Sequence, residues 1–150
     1  MIREFKTSDL DAVMRIWVEV NIEAHSFIDS AYWKSNYASV REEIPQATVF
    51  VAEEDKTVIG FIGLAENFIA GIFVMKPFRS RGVGKQLLQK AKELTPELTL
   101  EVFAENAQAI AFYQREGFSE IETHINPAVN QVEKTMRFVK DCFTLKSTFS

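Results

Sequence analysis

A glycine-bearing segment, Phe78-Arg79-Ser80-Arg81-Gly82-Val83-Gly84, joins an apolar run that reads as a strand (Phe68 to Met75) to an amphipathic stretch that reads as a helix. A chain with this join at its centre must set a strand end against a helix start. The helix follows from the inner stripe Val83, Leu87, Ala91 and Leu94. At such a start, successive backbone N–H groups are unpaired and lie at the positive end of the helix. Glycines at 82 and 84 remove side chains where a bulky anion would touch the backbone. The turn is therefore suited to phosphate or pyrophosphate. Two familiar nucleotide-binding patterns fail on single residues. The dinucleotide fingerprint needs a third glycine where Leu87 stands, and the nucleotide P-loop needs Gly-Lys-Ser/Thr where the chain has Gly84-Lys85-Gln86. Gly-x-Gly alone also fits an ordinary tight turn.

Charge points the same way. The 150 residues carry a net charge of −4, yet Asn67 to Lys92 contains no acidic residue and holds Lys76, Arg79, Arg81, Lys85, Lys90 and Lys92. The rest of the 17 basic residues are set against all 21 acidic ones. A cationic segment in an acidic chain suits one compact anion and argues against nucleic acid, with a solvated helix face as the plainer alternative. At 47% hydrophobic and 25% charged residues, the composition is that of a globular domain with one core. Apolar runs such as Val58 to Ala65 are too short to span a bilayer, and Met1-Ile2-Arg3-Glu4-Phe5 lacks the flank of a signal peptide. A cytoplasmic protein with no membrane partner is expected, as monomer or homodimer. One cysteine, Cys142, leaves no disulfide framework or multi-cysteine metal site, and no metal is expected.

Periodicity gives the remaining elements. Ile2 to Phe5 reads as a strand, and Ser8 as the cap of a helix carrying Leu10, Val13, Ile16, Trp17 and Val20. His25 to Asp29 is a break, and a second helix runs from Tyr32 to Glu43, ended by Pro45. Strands follow at 48–52 and 57–64, with the polar turn Glu53-Glu54-Asp55-Lys56 between them. After the glycine segment and its helix come a strand at 98–103 and a helix from Asn106 to Glu116 with Gly117 as C-cap. Strands at 118–123 and 132–139 complete the order β-α-α-β-β-β-α-β-α-β-β. This is an α/β (α+β) fold with a mixed, mostly antiparallel sheet of six to seven strands and four flanking helices. Residues 1–139 form one domain, and 140–150 form a tail.

The spacing Arg79-x-x-Gly82-x-Gly84 after Gly71-Ile72-Phe73-Val74 resembles the pyrophosphate-binding motif of the Gcn5-related N-acetyltransferase (GNAT) superfamily. A second block, Leu100-Glu101-Val102 followed by Asn106-x-x-Ala109-x-x-Phe112-Tyr113-x-x-x-Gly117-Phe118, resembles that superfamily's second cofactor-contacting unit. His25-Ser26-Phe27-Ile28 with Tyr32-Trp33 is similar to the small bacterial acetyltransferases of the YiaC/YjaB type. The resemblance implies a GNAT fold and acetyl-CoA as co-substrate, without metal. It also implies acetyl transfer to a primary amine, on a protein lysine, an N-terminus or a small molecule.

The resemblance further places Ile72, Phe73 and Val74 on a splayed strand whose backbone holds the acetyl carbonyl and pantetheine. Backbone amides from Ser80 through Arg81, Gly82, Val83, Gly84 and Lys85 would hold the pyrophosphate, with Arg79 at its entry. Asn106, with Ala109 and Phe112 beside it, would meet the pantetheine. Tyr113 would sit at the sulfur as general acid. Asn106 and Tyr113 are seven residues apart and share a helix face, although Tyr113 beside Phe112 also suits a plain core aromatic. The general base is either Glu101 or Glu66. His25, Phe27 and Trp33 are candidate acceptor contacts, although the aromatics equally suit the apolar side of the second helix. A non-catalytic coenzyme A-binding module on the same fold is the alternative function.

Overall fold

The computed structural model describes residues 1–140, so Cys142 and nearly all of the tail lie outside the described residues. The elements are β1 (Ile2–Glu4), α1 (Leu10–Ala24), α2 (Ser30–Glu43), β2 (Thr48–Glu54), β3 (Thr57–Ala65), β4 (Phe68–Val74), α3 (Val83–Leu94), β5 (Glu97–Phe103), α4 (Ala107–Arg115), β6 (Ser119–Asn126) and β7 (Gln131–Val139). This is the expected order. The seven strands form one sheet, β1-β2-β3-β4-β5-β7-β6. Every neighbouring pair is antiparallel except β4 and β5, which run parallel.

Alternation along the strands sorts side chains onto two cores. Phe50, Ile62, Leu64, Ile69, Leu98 and Leu100 face α3 and α4 and meet Leu87, Leu88 and Ala91 there. Val49, Val51, Phe61 and Phe103 face the other way, under α1 and α2, and meet Val13, Ile16 and Trp17. β3 is buried along most of its length because helices cover both of its faces.

Helix ends are where sequence and structure part. Ser8 does not cap α1. A 3-10 turn, Thr7–Asp9, precedes the helix, and Asp9 instead accepts the Lys6 N–H at 2.7 Å while pairing with Arg3 at 2.9 Å. α2 begins at Ser30 rather than Tyr32, because the Asp29 carboxylate accepts the Ala31 N–H at 2.9 Å and so caps it. Leu94, expected on the inner stripe of α3, is 54% exposed at the last turn of the helix, where the sheet no longer faces it.

Candidate functional site

β4 and β5 pair only at Phe68↔Thr99 and Ile69↔Leu100. Beyond that, β4 stays on β3 as far as Val74↔Gly60, and β5 stays on β7 as far as Phe103↔Glu133. The sheet thus opens into a V, whose two arms end at Val74 and Phe103. Along the arms, the β4 backbone groups facing the gap have no strand partner. Ile72 and Val74 pack half-buried toward α3, and Phe73 packs toward α1 and α2, stacked on Phe61 at 4.9 Å.

The glycine segment lies at the mouth of this gap. Ser80 (φ 64°) and Gly82 (φ 81°) both adopt left-handed backbone, and Gly82 is the N-cap of α3. A Cβ built on Gly82 would meet nothing within 4 Å, so open space lies in front of the turn. A Cβ on Gly84 would lie 3.5 Å from the Phe112 ring and 4.0 Å from Val74. This close approach sets the first turn of α3 against both α4 and β4. The N–H groups of Val83, Gly84 and Lys85 open the helix without intrahelical partners. The turn therefore presents unpaired N–H donors to open space. Arg79 does not reach into it. Its Nε donates to the Val74 carbonyl at 2.9 Å, and its guanidinium pairs with Glu23 of α1. Arg81 lies over the Phe78 ring instead.

Across the gap, Asn106 caps α4: its Oδ1 accepts the Ala109 N–H at 3.2 Å. Its Nδ2 lies 3.3 Å from His25 Nε2. Seven residues along, Tyr113 is 8% exposed, wedged edge-on against Phe112 and Phe118. Burial pushes its phenol above the usual value. Tyr113 is therefore part of the core that α4 shares with the sheet.

The acceptor-side candidates divide. Glu101 is exposed just past the last β4–β5 pair, on the face opposite Leu100, together with Phe103. Glu66 lies in the β3–β4 turn with φ 55°, not on the strand, and stands at the rim of a cavity of about 760 Å³ between α2 and the sheet. Gly63 and Gly71, paired across β3 and β4, form the bare floor of that cavity. His25 and Phe27 are half-buried and pack with Phe103 at 5.2 and 5.7 Å. Trp33 is 8% exposed beneath His25, so it shapes the site through that ring and offers no open face of its own.

The description "Acetyltransferase (GNAT) family" matches residues 10–118. The chain belongs to that family. It is 39% identical over 120 residues, 79% of this chain and 82% of the relative, to the peptidyl-lysine N-acetyltransferase YiaC of Escherichia coli. The solution structure of apo-form YjaB from Escherichia coli superposes with a TM-score of 0.81 at 25% identity, covering 93% of this chain and 97% of that one. The structure of yncA from Salmonella typhimurium with its cofactor acetyl-CoA shares the fold, with a TM-score of 0.66 at 17% identity over 94% of each chain. The chain is accordingly a GNAT N-acetyltransferase, and acetyl-CoA is the co-substrate of that family. Among the described residues, no helix is long and apolar enough to cross a membrane.

Two side chains beside Glu101 were not legible in the sequence as its neighbours. His124 Nε2 lies 3.2 Å from Glu133 Oε1 and 3.9 Å from Glu101 Oε1, and Glu133 is buried. These three come from β5, β6 and β7 with no regular spacing. Only the register Phe103↔Glu133 and His124↔Glu133 brings them together. A longer β6 than the sequence suggests, reaching Asn126, is what carries His124 there.

Proposed function

We propose that this enzyme transfers the acetyl group of acetyl-CoA directly to the side-chain amine of a protein lysine. The observation that carries this reading is the V between β4 and β5, with the open Gly82 cradle beside it and Glu101 on the β5 arm. Bound acetyl-CoA supplies the activated thioester. The chain's own groups do the rest. The cradle amides from Ser80 to Lys85 hold the pyrophosphate, and the unpaired β4 backbone around Ile72 to Val74 orients the acetyl carbonyl. Backbone N–H donors aimed at the oxygen that gains charge contribute a few kcal/mol, roughly 3 in measured cases.

An alkylamine is almost wholly protonated at neutral pH and must lose a proton before it attacks. Glu101 takes that proton directly or through water. It is favoured over Glu66 because it borders the gap, whereas Glu66 lies in the turn before β4. Tyr113 delivers a proton to the departing sulfur. The exposed Glu101 carboxylate lies on the same side of β5 as the Phe103 ring, a setting suited to a cationic side chain. The lysine assignment draws on the activity named for YiaC.

The test is an acetylation assay with three acceptors: a lysine peptide blocked at both ends, a peptide with a free N-terminus and no lysine, and n-butylamine. Mass spectrometry reads the product. Preferential acetylation of the blocked lysine peptide is expected. Turnover of the other two alone contradicts the lysine assignment.

A further inference from the structure

The end of α1 touches both arms of the V. On the β4 arm, Glu23 pairs with Arg79, whose Nε donates to the carbonyl of Val74, the last residue of that strand. On the β5 arm, His25 packs on Phe103 at 5.2 Å, the last residue of that strand, and bonds Asn106, the cap of α4. Glu23 and His25 are two residues apart on one turn of chain. No strand pairing joins β4 to β5 beyond Ile69↔Leu100, so these side-chain contacts span the open end.

We propose that the C-terminal turn of α1 is a clasp, in which Glu23–Arg79 and His25–Asn106 fix the width of the gap and so position Asn106 and Tyr113 against β4. The chemistry of the His25 arm is specific. Its Nδ1 lies 3.1 Å from the carbonyl of Asn21, which can only accept, so Nδ1 carries the proton. Nε2 is then left as an acceptor and takes the Asn106 Nδ2–H. Asn106 Oδ1 is occupied by the Ala109 N–H, so the amide cannot turn round without uncapping α4. Phe27, Trp33 and Phe103 hold the imidazole on three sides. Glu23, Arg79 and His25 are positioning residues on this account, and His25 reaches the chemistry through Asn106 rather than by touching the acceptor.

The inference rests on the gap being the acetyl-CoA site, but its first test needs no ligand. Amide hydrogen exchange on the apo protein compares wild type with His25→Ala, Glu23→Ala and the double variant. Faster exchange is expected in the first turn of α4 for His25→Ala and at Ile72 to Val74 for Glu23→Ala. The change is roughly tenfold, the net worth of about one hydrogen bond, with β2 and β3 unchanged. His25→Gln, whose amide oxygen can accept from Asn106, restores wild-type exchange in α4. In kinetics, His25→Ala weakens acetyl-CoA binding and lowers kcat. Wild-type exchange in both arms overturns the clasp. So does a His25→Ala variant that raises only the acceptor KM, which is the mark of a direct acceptor contact. Failure of the wild-type protein to bind acetyl-CoA is a separate result and strikes the functional reading alone.

Discussion

Tyr113 is a core residue buried between Phe112 and Phe118, and its phenol is the proton donor proposed for the departing sulfur. Tyr113→Phe keeps the ring packing and removes only the hydroxyl. We expect kcat to fall by roughly 10²-fold with the melting temperature little changed, as read by steady-state kinetics beside thermal unfolding. An unchanged kcat would remove Tyr113 from the mechanism.

His25 makes a second residue-scale prediction, in pH. Burial lowers its folded pKa below the ordinary imidazole value. In the interval between the folded and unfolded values, the unfolded chain binds the proton and the folded chain does not, so stability falls with falling pH. The loss begins as pH drops below about 6.5 and levels off beneath the folded value. Denaturant unfolding at several pH values should show this fall in wild type and not in His25→Gln. Equal slopes in the two proteins would contradict it.

At the scale of elements, the strands and the middles of the helices were legible, because apolar alternation and helical stripes express burial directly. Val83, Leu87 and Ala91 face inward as their spacing requires. The ends were less legible, because side chains distant in sequence decide them. Asp9 is drawn into the Arg3 pair, and with it the start of α1 becomes a 3-10 turn. Asn106 was legible as the start of α4, but its partner His25 lies 81 positions away and left no local signal. The glycine turn was the most legible part of the candidate site, since Gly82 and Gly84 are only two residues apart in sequence and shape the backbone directly. Glu133 and His124 were not, since only strand register joins them to Glu101. Asn106→Ala removes both the cap and the His25 bond. A loss of at least about 1 kcal/mol in unfolding free energy is expected, together with weaker acetyl-CoA binding. Unaltered stability would show that the cap is not needed.

For the whole molecule, two half-sheets meet at only two parallel residue pairs, with one core on each face. A ligand that fills the gap contacts both halves and binds only the folded chain. At a hundredfold excess over its Kd, such a ligand adds about 2.7 kcal/mol, which for a domain of this size raises Tm by roughly 5–10 °C. Thermal unfolding with and without acetyl-CoA reads this, and the absence of any shift would contradict binding across the gap. The Arg3–Asp9–Glu53 group ties β1 to α1 and β2. Arg3 holds the Asp9 carboxyl below its ordinary value. Its stabilisation is therefore full above about pH 4 and is lost as pH falls through the folded value. Asp9→Asn should flatten acid unfolding in that range.

The central claim is that the Gly82 turn holds the pyrophosphate of acetyl-CoA. Isothermal titration calorimetry of wild type against Gly82→Glu tests it most directly. The substitution puts a side chain and a negative charge into the open space and strains a backbone held at φ 81°. With both proteins folded by circular dichroism, the account predicts saturable binding to wild type and none to the variant. Equal binding by the two, or no binding by wild type, would contradict it.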